Sequence, residues 1–568
     1  MPSFNVLRIK ILYGLVSFVA FILMVQLYSL QVLKGSDYRD QAEKHYVTPQ
    51  GGVFDRGSIY FKNKDGQLIS AATLKTGFIL IINPSLIVDP KDTYKKLSEI
   101  VDLEVDAFYN KANKKDDTYE ELAEKLDEET AKKIEALNID GVDLKKQKWR
   151  FYPGGELASR TLGFVAFDEN VLDGRYGVEK YYDDLLTREG NDLYINFFAE
   201  IFSNVKDRFL EGKKKGEIVL SIEPSVQLFL ESELKKVGEK WNTDSAVGVV
   251  LDPKTGKIYA LAIDPGFDLN NFQEEKDNSI FSNSFVENVF EMGSIIKPLT
   301  MAIGLDTKSV TAETTYNDKG SLLIDGAKIS NYDGKARGIV PMQEVLNQSL
   351  NTGVVFVMQE TGKEKFAEYM LKLGIGEETG IDLPNETYGL VNNLKSPRDL
   401  EYATASFGQG IALTPVETVR ALSALANGGK LITPHLTEGI KYRVGLAREL
   451  LYDDGDQVFK ESTSEEITRM LVEVVDKALM GGTVKMEHYS IAAKTGTAQM
   501  AKEDGRGYYD DKYLHSFFGY FPAYNPEFLV FFYIINPKEV KYASSTLTEP
   551  FMNTAKFLIN YYEIPPDR

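Results

Sequence analysis

The stretch EMGSIIKP occupies residues 291–298 and places Ser294 three positions before Lys297. A helix that begins at Gly293 brings the serine hydroxyl and the lysine amine onto one face, because residues at i and i+3 are neighbours on a helix surface. A serine hydroxyl is a weak nucleophile until a base takes its proton, and the N–H groups at a helix start favour the negative charge that then develops. The stretch therefore predicts a serine nucleophile with its own base.

The same Ser-x-x-Lys spacing begins at two other residues, Ser203 and Ser232. Ser232 lies in an amphipathic run, Ser225–Trp241, whose apolar residues recur at helical spacing, so Lys235 is expected on a solvated face. Ser203 lies in a charged connector. Ser294 alone follows a glycine and has an apolar run after its lysine, and this context favours it as the nucleophile.

The composition excludes several classes of function. With 568 residues the chain is long enough for about three or four domains. A net charge of −19 argues against a nucleic-acid-binding surface. The chain has no cysteine and only four scattered histidines, so neither a metal site nor a cofactor is predicted.

An apolar run at residues 11–33 contains no charged residue and is long enough to cross a bilayer as one helix. Arg8 and Lys10 flank it on the short side, so residues 1–10 are expected in the cytoplasm and the chain after Lys34 outside it. A cleaved signal peptide is the alternative, but the run is long for a signal core and no small-residue cleavage site follows. We therefore predict a single-pass anchor in the cytoplasmic membrane, with the bulk of the chain extracytoplasmic or periplasmic.

Residues 34–215 have a mixed character. Strand-like pieces such as 77–82 alternate with charged stretches at 91–101 and 118–137 that are predicted to be helical. No catalytic constellation occurs there. The segment is predicted to be a non-catalytic α/β pedestal.

Residues 216–568 have the regular pattern of an α/β domain of the α+β type. Helices are predicted at Pro224–Trp241 and Pro550–Tyr562, with an all-helical stretch at Ser294–Asn427 that contains a capping box at Thr414–Glu417. Strands that form one sheet beside this helical lobe are predicted at Ala246–Leu251, Lys257–Ile263, Ser490–Thr497, His515–Phe521 and Phe528–Ile535.

Two further motifs occur where a cleft between sheet and helical lobe needs them. Ser349 and Asn351 lie between two helix-like segments, so a hydroxyl and an amide are expected to point into the cleft, although a solvated loop is the alternative.

The second motif, KTGT at residues 494–497, is predicted to lie on a strand. Gly496 would let a substrate backbone come close, and Lys494, Thr495 and Thr497 would bind a carboxylate. Two other Lys-Thr-Gly triplets lie in the pedestal and in a hairpin turn, so the prediction depends on motif order and context.

The order Ser-x-x-Lys, Ser-x-Asn, Lys-Thr-Gly resembles that of the penicillin-binding proteins and serine β-lactamases. Gln50, Met292 and Ala493 stand where the family usually has Arg, Pro and Gly. The resemblance to the class B, monofunctional members covers nearly the whole chain and includes the anchor and the blocks GGVFDR (51–56), RFYPGG (150–155), GVEKYY (177–182) and FGQG (407–410).

This resemblance implies a five-stranded antiparallel sheet with flanking helices and a helical lobe, after a pedestal of the dimerisation type. It also implies a D,D-transpeptidase that cross-links peptidoglycan stem peptides. Ser294 would attack the penultimate D-Ala, and Lys297 would be the base. Ser349 would relay the proton to the leaving amine, and Asn351 would orient Lys297 and the substrate amide.

The resemblance also assigns the substrate contacts. The backbone N–H groups of Ser294 and Thr497 would form the oxyanion hole. Lys494, Thr495 and Thr497 would hold the terminal carboxylate of the substrate, with Gly496 between them. β-Lactams would act as inhibitors at the same serine.

Peripheral blocks resemble those of the division-specific (FtsI-type) members. These are the modest pedestal, Gly481–Lys485 ahead of Lys494, and the short loop Asp504–Lys512. The resemblance implies septal wall synthesis and docking on an FtsW-type glycan polymerase and other division proteins.

Four alternatives remain open. An elongation-specific class B enzyme shares all three motifs. A D,D-carboxypeptidase or β-lactamase uses the same acylation but passes the acyl group to water. A membrane β-lactam sensor would need a cytoplasmic signalling domain. An inactive divisome scaffold would be expected to have lost motif residues, and here none is lost.

Overall fold

The structure is a computed structural model and describes residues 55–168, 171–188, 215–442, 447–452, 455–502 and 507–568. The predicted anchor at residues 11–33 and Ser203 lie outside the described residues. Among the described residues, no helix combines the length and apolar character needed to span a membrane.

The described chain alternates strands and helices. The strands are β1 (Asp55–Arg56), β2 (Ile59–Lys62), β3 (Leu68–Ile82), β4 (Glu120–Leu126), β5 (Val142–Phe151), β6 (Val165–Asp168), β7 (Val171–Gly174), β8 (Thr187–Arg188), β9 (Gly216–Leu220), β10 (Ser245–Leu251), β11 (Ile258–Asp264), β12 (Thr315–Asp318), β13 (Ser321–Ile324), β14 (Ala327–Ser330), β15 (Gly338–Pro341), β16 (Thr437–Tyr442), β17 (Arg448–Glu449), β18 (Ala492–Ala501), β19 (Tyr508–Phe521) and β20 (Phe528–Ile535). The α-helices are α1 (Pro90–Ser98), α2 (Val105–Ala112), α3 (Glu128–Glu135), α4 (Ser159–Leu162), α5 (Gly177–Tyr181), α6 (Asp183–Leu186), α7 (Pro224–Trp241), α8 (Ser284–Glu287), α9 (Lys297–Asp306), α10 (Met342–Asn347), α11 (Asn351–Thr361), α12 (Lys363–Lys372), α13 (Asp399–Ala405), α14 (Pro415–Ala426), α15 (Glu461–Glu473) and α16 (Ala543–Tyr561).

These elements fold into two compact units. The larger unit comprises residues 56–76, 149–188 and 207–568. Its first two segments precede residue 215, and β2 from the first of them pairs in parallel with β9. The predicted domain boundary at residue 215 stays a prediction.

The larger unit is built on a five-stranded sheet in the order β11-β10-β20-β19-β18. All neighbouring strands are antiparallel, so the predicted sheet is present. Seven of the eight residues of β20 are buried, as its continuous apolar sequence predicts. The helix predicted at 550–562 begins earlier, since α16 starts at Ala543 and contains Pro550.

Helices cover both faces of this sheet. On one face, Leu230 of α7 and Leu558 of α16 share a core with Phe532 of β20. On the other face, Phe531 of β20 joins the core of the helical lobe, which includes Val354. Successive side chains of a strand point to opposite faces, and this explains how a continuous apolar run is buried.

The helical lobe contains the predicted capping box. Thr414 accepts a hydrogen bond from the Glu417 N–H (3.1 Å), and the Glu417 carboxylate accepts one from the Thr414 N–H (2.7 Å). The predicted helix is therefore confirmed at α14, and all twelve of its residues are buried.

The prediction that residues 294–427 are all helical is wrong, because the strand pairs β12–β15 and β13–β14 interrupt it. β13 and β14 are joined by Asp325 and Gly326, whose φ values are +49° and +82°. A two-residue Asp-Gly turn with both φ values positive suits the twist of a β-hairpin, so local turn chemistry determines this structure.

The smaller unit includes the described residues Gly77–Lys148. Its core contains Leu80, Leu97 and Phe108. The prediction of one helix over 118–137 is wrong, because β4 pairs with β3 and α3 begins only after Asp127. The Asp127 side chain accepts from the Thr130 N–H, and this cap separates strand from helix.

A buried ion network lies among the pedestal-derived segments of the larger unit. The Glu179 carboxylate accepts from Arg56 Nε (2.7 Å), Arg150 Nε (2.6 Å) and the Tyr152 hydroxyl (3.2 Å). The side chains of Arg56 and Glu179 are 0% exposed. Arg56 Nη1 also donates to the Asp183 carboxylate (2.7 Å), so Glu179 is shared by both guanidinium groups and Arg56 has a second carboxylate partner.

Replacing Glu179 with alanine is expected to lower the free energy of unfolding by about 3–5 kcal/mol, because buried Arg150 loses its ion pair with Glu179 and Arg56 keeps only its pair with Asp183. Denaturant unfolding of the purified protein measures this loss. Glu128→Ala is the control, since it removes an exposed pair with Lys132 and should leave unfolding unchanged. Equal stability of Glu179→Ala and wild type would contradict the prediction.

Candidate active site

A cavity of about 610 Å³ in the larger unit brings the three sequence motifs together. It opens beside β18, an edge strand whose only described strand partner is β19. The predicted site residues that line it are Ser294, Lys297, Ser349, Asn351, Lys494, Thr495 and Thr497.

The nucleophile turn lies close against β18. Ser294 belongs to a 3₁₀-helix, Gly293–Ile296, that leads directly into α9, and Lys297 is the first residue of α9. Gly293 has a φ of +65°, and a Cβ at this position would lie 2.9 Å from the Thr497 carbonyl oxygen. A glycine is therefore required for the serine to approach the strand.

Lys297 is 1% exposed, and its Nζ donates to the carbonyl oxygen (2.5 Å) and hydroxyl oxygen (3.1 Å) of Ser349. No hydrogen bond joins Lys297 to Ser294 in the described part of the chain. Burial lowers the pKa of Lys297 well below its usual value, and the charge of Lys494 lowers it further. Both effects favour the neutral amine, whose lone pair can accept a proton.

Ser349 lies at the bend between α10 and α11 in a left-handed conformation, with a φ of +53°. This conformation is rare for serine, and here it accompanies the binding of both Ser349 oxygens to Lys297. The Asn351 amide N–H donates to the Ser330 carbonyl oxygen (2.9 Å), and no hydrogen bond joins Asn351 to Lys297 among the described residues. The orienting role of Asn351 toward Lys297 stays a prediction. The hairpin strand β14 ends at Ser330 and supplies this acceptor.

The KTGT segment forms part of β18 as predicted. Burial lowers the pKa of Lys494 to about 8, and its Nζ donates to the Thr495 carbonyl oxygen (3.2 Å). A Cβ on Gly496 would lie 2.3 Å from the Ser516 hydroxyl and 2.9 Å from the Met292 carbonyl oxygen. Gly496 therefore lets the nucleophile segment approach the strand, in addition to any role toward substrate.

Several residues of the cavity wall were not predicted from the sequence. They come from segments without a motif, and no local signal in the sequence marks them. They are Ser330, Tyr332, Val474, Ala478, Leu479, Met480, Gln499, Tyr513, Lys541, Tyr542, Ala543 and Ser544.

Glu291, just before the nucleophile turn, was also missed. Its carboxylate accepts from the Gly410 N–H (3.0 Å) and from the Tyr508 hydroxyl (2.9 Å). Burial raises the pKa of Glu291. Glu291 is the first residue of the segment 291–298, so its proximity to Ser294 in the sequence was the available signal.

The acylation rate is expected to show a bell-shaped dependence on pH. In acid, protonation of Lys297 removes the base; above about pH 8, Lys494 loses the charge that would hold a carboxylate. The second-order rate constant for penicillin acylation, measured across pH, tests this. Lys494→Arg should abolish the alkaline limb, since arginine stays charged. A wild-type rate that keeps rising well above pH 8 would contradict the prediction.

Ser294 is half-buried, Lys297 is buried with a lowered pKa, and both line a cavity with the KTGT strand. This arrangement is typical of enzymes that transfer acyl groups through an active-site serine. The penicillin binding protein transpeptidase domain matches residues 246–555, and the penicillin-binding protein dimerisation domain matches residues 54–192. The chain therefore belongs to the penicillin-binding protein transpeptidase family.

Curated relatives match along most of their length. Stage V sporulation protein D of Bacillus subtilis is 31% identical over 88% of this chain and 77% of the relative. The probable peptidoglycan D,D-transpeptidase PenA of Neisseria gonorrhoeae is 28% identical over 92% of this chain and 87% of its own. The peptidoglycan D,D-transpeptidase FtsI of Buchnera aphidicola subsp. Baizongia pistaciae is 26% identical over 99% and 96%, respectively.

Solved structures share the fold. Penicillin-binding protein 2X from Streptococcus thermophilus superposes with a TM-score of 0.73 at 19% identity, over 91% of this chain and 81% of that one. Penicillin-binding protein 3 from Mycobacterium tuberculosis, complexed with aztreonam, superposes with a TM-score of 0.68 at 21% identity, over 91% of this chain and 98% of that one. The protein is a class B penicillin-binding protein and a serine-type peptidoglycan D,D-transpeptidase.

Proposed function

We propose that Ser294 carries the acyl group during cross-linking. Its Oγ attacks the carbonyl carbon of the penultimate D-Ala of a stem peptide, and Lys297 Nζ takes the hydroxyl proton. The N–H groups of Ser294 and Thr497 stabilise the oxyanion of the tetrahedral intermediate. The position of both residues on the wall of one cavity supports these roles.

The intermediate then loses the terminal D-Ala. The C–N bond breaks, and the leaving amine receives the proton from Lys297 through the Ser349 hydroxyl, which lies 3.1 Å from Lys297 Nζ. An amine of a neighbouring peptidoglycan strand then attacks the carbonyl carbon of the acyl-enzyme. The proton of this amine passes through Ser349 and Lys297 to Ser294 Oγ, and Ser294 is released as a free hydroxyl. Lys494, Thr495 and Thr497 hold the terminal carboxylate of the donor before it leaves.

We further propose that the protein acts in septal wall synthesis during division and is a target of β-lactams there. The observation that carries this role is the match to FtsI of Buchnera aphidicola over 99% of this chain and 96% of the relative. Residues 11–33 would anchor the chain in the cytoplasmic membrane. A class B enzyme makes no glycan strand, so the anchor and pedestal would dock on an FtsW-type polymerase and other division proteins.

Depletion of the protein from its native cell tests the septal role. Filaments that elongate without dividing are expected. Cells that round up while still dividing would assign the protein to elongation.

A sporulation role is the second candidate, because Stage V sporulation protein D is 31% identical over 88% of this chain. Depleted cells that divide and keep their shape but fail to form spores would replace the septal assignment with this one.

A further inference from the structure

His515 is a buried histidine beside the KTGT strand that the proposed mechanism does not use. It lies on β19 directly opposite Thr497 of β18 and is 0% exposed. Directly opposed residues of an antiparallel pair have their side chains on the same face of the sheet. The imidazole and the Thr497 hydroxyl therefore lie on one face, toward the start of α16.

The contacts of the ring determine its tautomer. His515 Nε2 lies 3.0 Å from the Lys541 carbonyl oxygen, and Nδ1 lies 3.0 Å from the Thr546 hydroxyl oxygen. A carbonyl oxygen only accepts, so Nε2 carries the proton. Burial lowers the pKa of His515 to about 4, so near neutral pH the ring is neutral and Nδ1 is an acceptor. The Thr546 hydroxyl shares its one proton between Nδ1 and the Ala543 carbonyl oxygen, which lies 3.1 Å away.

The segment that His515 binds is part of the active-site wall. Lys541, Tyr542 and Ala543 line the cavity. The Ala543 N–H donates to the Thr497 hydroxyl oxygen (3.1 Å). Because the Thr497 hydroxyl oxygen accepts from the Ala543 N–H, the Thr497 hydroxyl proton points away from Ala543. It is available to a group in the cavity, which Thr497 lines.

We propose that His515 is a positioning residue of the carboxylate subsite. It fixes residues 541–543, and Ala543 in turn presents the Thr497 hydroxyl as a donor to the terminal carboxylate of the substrate. The proposal rests on the proposed role of Thr497 as a carboxylate-binding residue. It predicts that His515 contributes to the recognition of an anionic terminus and not to acylation in general.

The test compares two D-Ala-D-Ala thioester substrate analogues that differ only in a terminal carboxylate or carboxamide. His515→Leu is expected to lower kcat/KM for the carboxylate about tenfold, as for the loss of one hydrogen bond to a charged group, and to leave the carboxamide rate unchanged. His515→Gln keeps a donor for Lys541 and should retain most of the selectivity. His488→Leu is the control, because His488 is exposed.

Equal losses on both substrates in His515→Leu would overturn the proposal, since they would indicate a structural role only. If His515→Leu does not fold, Thr546→Val, which removes the Nδ1 partner, should still reduce the carboxylate selectivity. In a Thr497→Val background, His515→Leu should lower neither rate further, and a further loss of selectivity would contradict the proposed path. Wild-type protein that fails to react with penicillin would instead refute the proposed function itself.

Discussion

Ser294→Ala is expected to abolish covalent labelling by a fluorescent penicillin. The strained amide of the drug mimics D-Ala-D-Ala and needs a nucleophile at the same place. Ser294 is the serine that lies on the cavity wall at a helix start, near a lysine whose pKa burial has lowered. Without its hydroxyl the bound drug has no atom to acylate, so the labelled band should disappear from a denaturing gel.

Ser232→Ala is the matched control, because Ser232 begins another Ser-x-x-Lys sequence on α7 and does not line this cavity. It should label like wild type. Thermal denaturation of each variant verifies folding. Labelling that survives in folded Ser294→Ala would refute the assignment of the nucleophile.

Lys297→Ala is expected to slow acylation by about 10²–10⁴-fold, the usual contribution of a positioned general base. The effect on folding should be small, because the variant loses two hydrogen bonds to Ser349 but also removes the desolvation cost of a buried amine. Stopped-flow or quenched-flow measurement of penicillin acylation gives the rate.

Lys235→Ala removes the corresponding lysine of the Ser232 sequence and should acylate at the wild-type rate. A near-normal rate in Lys297→Ala would show that another group takes the proton from Ser294. Recovery of the rate at high pH in this variant would be consistent with hydroxide replacing the missing base.

Much of the fold was predictable because local and global preferences agree. The central strand β20 is an apolar run that is buried on both faces of the sheet, and turn residues separate it from its neighbours in the sequence. The start of α14 was predictable because Thr414 and Glu417 satisfy each other's backbone N–H groups within one turn. Gly293 before Ser294 was a usable signal because the close approach to β18 excludes a side chain there.

The errors occurred where a local signal was weighted wrongly. The Asp325-Gly326 turn lay inside a stretch interpreted as helical, although Asp-Gly strongly favours a hairpin. Asp127 ends one element and caps the next, and the charged residues around it gave β4 a helical appearance. These signals were present in the sequence but competed with a longer apolar pattern.

The rest depends on contacts between residues far apart in the chain. The bond from Asn351 to Ser330 exists because β14 ends beside α11. The bond from His515 to Lys541 exists because β19 passes the start of α16. Neither pairing has a local pattern in one sequence, so both required the folded structure.

Mass spectrometry of the wild-type protein after reaction with penicillin tests the central claim most directly. Digestion and peptide mapping should place a single penicilloyl adduct on the peptide that contains Ser294, with Ser349 unmodified. An adduct on Ser349 or on any other residue, with the Ser294 peptide unmodified, would contradict the account.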